Sequence, residues 1–114
     1  MKIFSLEETP YEPVNHDTRL KKKVLAKNIL PHVSTVSHII LQPGNSVSEH
    51  THHEFFEVFY CIRGAVVLSV KGERVSIKDG DLLFVEPHEP HAIPEVVKET
   101  ELLYFHVNSR NENR

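Results

Sequence analysis

Apolar residues in this chain of 114 come only in short runs, each closed by Gly, Pro, Asn or Asp. The runs recur about every ten residues, and no 3.6-residue apolar period persists long enough to build a helix. That pattern restricts the chain to an all-β sandwich or barrel. The expected strands are Lys22–Ala26, Val33–Leu41, Glu54–Ile62, Ala65–Val70, Glu73–Ile77, Asp81–Val85, His91–Pro94 and Leu102–Val107. Lys71-Gly72 reads as a tight hairpin turn, with further turns at Lys78-Asp79-Gly80-Asp81 and Gln42-Pro43-Gly44-Asn45. Residues 1–21, with Pro10 and Pro13, read as an irregular N-terminal arm. Residues 22–107 form the barrel, and 108–114 a polar tail that frays.

A chain of this length is one domain that buries roughly two-thirds of its unfolded surface. Its net charge of −3 gives no electrostatic case for nucleic acid, and there is no basic stripe or helix-turn-helix pattern. Lys21-Lys22-Lys23 is read as a solvated strand edge. The single cysteine, Cys61, excludes an intrachain disulfide and fits a reducing compartment. The opening Met1-Lys2-Ile3-Phe4-Ser5-Leu6-Glu7-Glu8 turns acidic too soon for a secretory signal, and no apolar stretch approaches the ~18 residues of a membrane span. A cytoplasmic protein is expected.

One segment carries chemistry. His50 and His52 lie two residues apart, so an extended strand projects both imidazoles to one face. Glu57 can rejoin that face if a bend absorbs the odd step. Glu54, which shares parity with the pair on an unbroken strand, is the rival carboxylate. Imidazoles and a carboxylate converging on one point make a divalent metal site. A His-x-His-x4-Glu match arises by chance about one time in ten in such a chain, but the framing by Gly44 and Gly64 cuts that to roughly one in ten thousand.

The framed pattern Gly44-x5-His50-x-His52-x4-Glu57-x6-Gly64 resembles the first motif of the cupin superfamily. The stretch from Gly80 to His91 resembles its second motif, with Gly80 at the opening Gly and His91 at the ligand His. Glu86 and His88 stand where that motif has Pro and Gly. The resemblance implies a double-stranded β-helix (jelly-roll) barrel with a metal held by His50, His52, Glu57 and His91. Nitrogen and oxygen donors of this kind suit Fe, Mn, Co, Ni, Cu or Zn, and four protein ligands leave two positions open on a six-coordinate ion. The expected function is that of a metal-dependent enzyme on a small molecule, with dioxygenase-like chemistry favoured. A non-redox isomerase or decarboxylase, or a non-catalytic binding module for a sugar or similar molecule, is the alternative. Glu54, Glu86 and His88 are the candidate acid–base groups.

The remaining residues read more plainly. His53 turns to the opposite face from His52 and is a surface or dimer-edge residue. His88 is a turn residue, with proton shuttling as its other role. His38 and His106 are hydrogen-bonded strand histidines, with support of a metal ligand as the alternative. His16 and His32 lie at the surface. Phe55, Phe56, Phe59 and Phe84 supply core, and some of them wall a substrate pocket. Val58-Phe59-Tyr60-Cys61-Ile62 is apolar or amphipathic on both faces, so the N-terminal arm, packing on the barrel, or a second subunit must cover its outer face. A homodimer is expected on that ground.

Overall fold

The computed structural model describes residues 1–15 and 17–109, so the expectations for His16 and for the tail beyond Ser109 lie outside the described residues. The described residues contain eight strands and no helix: β1 (Tyr11–Val14), β2 (Asp17–Leu30), β3 (Val33–Leu41), β4 (Val47–His50), β5 (Phe55–Val70), β6 (Glu73–Lys78), β7 (Leu82–Val85) and β8 (His91–Asn108). All pairings are antiparallel, in the order β1-β2-β3-β8-β5-β6, with β4 added to β8 and β7 to β5. The all-β jelly-roll expectation is met.

The barrel closes because its two long strands change partners along their length. β8 pairs with β4 at its start and with β3 further on, and β5 flanks it throughout. β5 pairs with β7 over Glu57–Tyr60 and with β6 over Ala65–Val70. The register between β5 and β8 slips repeatedly between Cys61 and Ser69, and such bulges bend a sheet around a corner. Gly64 sits at that corner with φ +119°. A β-carbon there would collide with the side chain and backbone of Thr100, so only glycine fits.

This corner explains why the strands are longer than expected. Glu54–Ile62 and Ala65–Val70 are one strand, because Gly64 lets the ladder bend without breaking. His91–Pro94 and Leu102–Val107 are likewise one strand. The polar stretch between them stays in the ladder through Val66↔Val96, Ala65↔Lys98 and Arg63↔Glu101 while its charged side chains face water. The arm is not irregular throughout. Tyr11–Val14 pairs with β2 as an edge strand, a position that tolerates Pro13, and β2 already begins at Asp17. Lys71 and Gly72 take φ of 52° and 79° between Val70 and Glu73, the two-residue hairpin the sequence predicts.

Inward-facing side chains alternate along each strand. Leu41, Leu68, Leu102 and Cys61 are fully buried, and Ile39, Val47, Phe59, Val66, Val85 and Ile93 complete the core around them. Each such aliphatic side chain contributes about 1.5–3 kcal/mol by leaving water. The outer face of the same sheet is uncovered: Ile40, Tyr60, Ile62, Leu82 and Phe84 are all exposed, Phe84 at 61%. No helix among the described residues is long and apolar enough to cross a membrane.

Candidate metal centre

Three strands and one link deliver the donors. His50 closes β4 and His91 opens β8, and the two are cross-strand partners with ring centroids 4.2 Å apart. His52 lies in the link between β4 and β5. Because that link leaves the ladder, the odd step to Glu57 is absorbed in coil, and Glu57 enters β5 facing inward. Glu57 is buried and Glu54 is exposed, which resolves the rivalry between them. One ligand atom from each of His50, His52, Glu57 and His91 lies within 4.8 Å of all the others. A coordination sphere with bonds near 2.1 Å is about 4.2 Å across, so the set would contract only slightly around an ion.

The imidazoles are oriented for that task. The Nδ1–H of His50 donates to the Ser48 carbonyl at 2.8 Å, and that of His91 donates to the Glu89 carbonyl at 2.9 Å. Both rings therefore turn Nε2 toward Glu57. Its Oε1 lies 2.9 Å from Nε2 of His91, 3.5 Å from that of His52 and 4.0 Å from that of His50. This is the outer-shell arrangement that fixes metal-binding imidazoles, and the cluster could hold a divalent transition ion.

Glu57 has a fourth partner. His106 Nε2–H donates to its Oε2 at 2.7 Å, and Thr35 Oγ1 lies 3.4 Å from the other ring nitrogen. Phe55 stacks against both His52 and His106, with centroids 4.4 and 4.2 Å away. Burial pushes the Glu57 carboxyl upward, but the hydrogen bonds from His106, His50, His52 and His91 outweigh it and hold the group well below the usual carboxylate range. For His91 burial opposes protonation, and the bond to Glu57 overcomes it, so its pKa is raised. Burial, reinforced by the charge of Glu57, pushes the Tyr104 phenol far up, so it stays a neutral hydrogen-bonding group.

The cluster forms one wall of a cavity of about 370 Å³. Phe59, Tyr104, Ile39, Leu102 and Ile93 make its apolar walls, and Lys22 and Asn15 also line it. Glu54, Glu86 and His88 do not. All three are exposed, Glu54 in the link before β5 and Glu86 and His88 in the link between β7 and β8. His88 occupies a turn with φ 72°, its N–H donates to the His52 carbonyl, and its ring Nδ1 meets that of the exposed His53 at 2.8 Å. His38 bonds Glu101 on the outer face at 2.6 Å, away from the cluster.

Of two further cavity residues, the sequence left the role of His106 open between two readings and hid that of Lys22. His106 shares parity with Leu102 and Tyr104 on β8 and with Glu57 across the ladder, but only the register reveals it. Lys22 was grouped with a solvated edge. Instead it shares parity with the core residue Leu20 and pairs with the inward Ile39.

A family model of the cupin domain matches residues 37–108, well over half of the chain. An uncharacterised protein of Methanocaldococcus jannaschii is 26% identical over 84% of this chain and 78% of its own length. The oxalate-binding protein of Thermotoga maritima is 42% identical, but over only 46% of this chain and 44% of its own. The crystal structure of a predicted oxalate decarboxylase from Thermotoga maritima superposes with a TM-score of 0.83 at 24% identity, covering 94% of this chain and 99% of that one. That likeness concerns the fold. The chain belongs to the cupin family.

Proposed function

We propose that this cupin is a metal-dependent enzyme acting on a small molecule that reaches the ion through oxygen donors. The observation that carries the reading is the placement of three imidazole Nε2 atoms and one carboxylate in the wall of a cavity large enough for a ligand. His50, His52, Glu57 and His91 would hold the ion. A redox-active ion would supply dioxygen chemistry and zinc would supply a Lewis acid. The chain itself orients the donors through the Ser48 and Glu89 carbonyls and keeps Glu57 ionised through His106. It also excludes water with Phe55, Phe59 and Tyr104. His106 is the acid–base group that both touches Glu57 and faces the cavity.

Elemental analysis of purified protein, followed by oxygen uptake with the iron- or manganese-loaded form against catechols, diketones and thiols, tests the reading. Near-stoichiometric metal with substrate-dependent uptake is expected. Purified protein that takes up no transition metal under any loading condition would sink it.

A non-catalytic binding module is the second reading, supported by the absence of Glu54, Glu86 and His88 from the cavity and by the oxalate-binding relative. Ligand affinity with flat oxygen traces and unchanged ligand on recovery would favour it.

The uncovered sheet face supports a homodimer built on Ile62, Leu82 and Phe84. Phe84→Glu should convert a dimeric elution profile to a monomeric one, whereas a wild-type protein monomeric at 100-fold dilution steps would oppose it.

A further inference from the structure

The wall opposite the metal cluster contains a cation in a position where the barrel otherwise uses apolar side chains. On β2, Leu20 and Lys22 share the inward face; Leu20 belongs to the core, and Lys22 lines the cavity, half-buried. Lys21 is exposed, and Lys23 is engaged with the Leu6 carbonyl and the Tyr11 ring, so neither neighbour shares this placement. The Lys22 ammonium makes no hydrogen bond and no ion pair among the described residues. Glu12, its cross-strand partner on β1, does not come within the 4.0 Å of an ion pair. A lysine whose stem lines the cavity and whose ammonium has no ion-pair partner among the described residues can offer that charge to whatever enters.

Charge within the cavity points the same way. Glu57 is the only acidic side chain in the lining and Lys22 the only lysine or arginine. Within the lining, a divalent ion, one carboxylate and one ammonium sum to two positive charges, since the imidazoles bind metal in their neutral form; Glu12, outside the lining, is a further carboxylate whose charge reaches Tyr104. The two charged ends are well separated. Lys22 lies in the row Lys22–Ile39–Leu102 and Glu57 lies in the row of His106. Four residues of β8 separate those rows, about 13 Å along the strand. Ile39, Leu102, Phe59 and Tyr104 line the space between.

We propose that Lys22 is a specificity-determining residue that receives the anionic tail of an elongated substrate. The head of that substrate offers oxygen donors at the His50–His52–Glu57–His91 cluster, and its apolar or aromatic body lies against Phe59 and Tyr104. This deepens the metal-dependent reading above and rests on it. A two-carbon diacid such as oxalate leaves most of a 370 Å³ cavity unfilled. The favoured class is therefore a larger carboxylate with a chelating end.

Zinc-loaded protein, which carries out no redox chemistry, provides the test by isothermal titration with three probes. Catechol has the head alone, 3-(3,4-dihydroxyphenyl)propionate adds a carboxylate tail, and the methyl ester of that acid has the same body without the charge. Wild type should bind the acid about tenfold more tightly than the ester, the worth of one charge-assisted contact. Lys22→Met should abolish that preference while leaving zinc stoichiometry, melting temperature and ester affinity within twofold, and Lys22→Arg should keep it. Equal preference in wild type and Lys22→Met overturns the assignment of Lys22. Equal affinity of wild type for acid and ester overturns the anionic tail. Protein that takes up no zinc fails the metal-dependent reading and this one falls with it, whereas zinc-loaded protein that binds neither catechol nor the acid overturns the chelating head alone.

Discussion

The contact that most deserves a quantitative test is the bond from His106 to Glu57. Glu57 has two carboxylate oxygens with separate duties: Oε1 faces the three imidazoles and Oε2 accepts from His106 at 2.7 Å. Phenylalanine at position 106 would keep a ring of similar size stacked on Phe55, now 4.2 Å away, and remove only the donor. Two effects follow. The buried Oε2 loses its partner, at about 1–3 kcal/mol of folding stability in the metal-free protein. The carboxylate also loses the contact that fixes its rotation. Loss of such outer partners typically weakens metal binding by about 10–100-fold, or about 1.4–2.8 kcal/mol. Competition of cobalt(II) or zinc(II) against a chromophoric chelator reads this directly. His106→Phe should lose at least tenfold in affinity, and His106→Gln, which keeps an N–H donor, should recover part of it. An affinity for His106→Phe within twofold of wild type would show that the hydrogen bond does not position the ligand.

Three further outcomes follow from other parts of the fold. His52→Ala should lower metal occupancy by more than about tenfold, whereas His53→Ala, an exposed side chain turned away from the cluster, should leave it unchanged; equal occupancy by elemental analysis would refute the assigned orientation. Gly64→Ala should cost about 3 kcal/mol or more, because a residue at φ +119° is strained and its β-carbon meets Thr100; a urea midpoint like that of wild type would refute the corner argument. The hydrogen bond from His38 holds the Glu101 carboxyl below its usual range, and a depressed folded pKa stabilises above the unfolded value of about 4.3 and ceases to do so as pH falls through the folded one. The stability advantage of wild type over Glu101→Gln, about 1 kcal/mol near neutrality, should therefore vanish below pH 4; a gap constant from pH 7 to 3 in urea titrations would contradict the sign.

The parts of the molecule that were legible in advance share one property: they depend on local spacing. His50, His52 and Glu57 were readable because glycines that the backbone cannot replace bracket them, and Gly64 shows why, with its φ of +119° and its contact with Thr100. The hairpin at Lys71-Gly72 was readable for the same reason. His106 and Lys22 were not, because their meaning depends on which face of a strand looks inward. Along β5 and β8 both faces carry apolar groups, so alternation has no visible phase, and register shifts between Cys61 and Ser69 would scramble any phase carried across them. The N-terminal arm misled for a related reason. Pro13 and three lysines look unlike barrel wall, yet an edge strand needs few apolar residues and tolerates a missing N–H.

Lys22 carries the most weight in that comparison. Lys21 is exposed and Lys23 is held by the Leu6 carbonyl and the Tyr11 ring, whereas Lys22 has the parity that directs it inward beside Leu20. A barrel whose sole task was to enclose a structural ion would have no use for a lysine in its cavity wall, where an aliphatic residue would pack as well. The placement makes sense when a ligand supplies the missing negative charge, so the same residue that the sequence pattern hides separates a vessel for metal from a site for an anionic molecule.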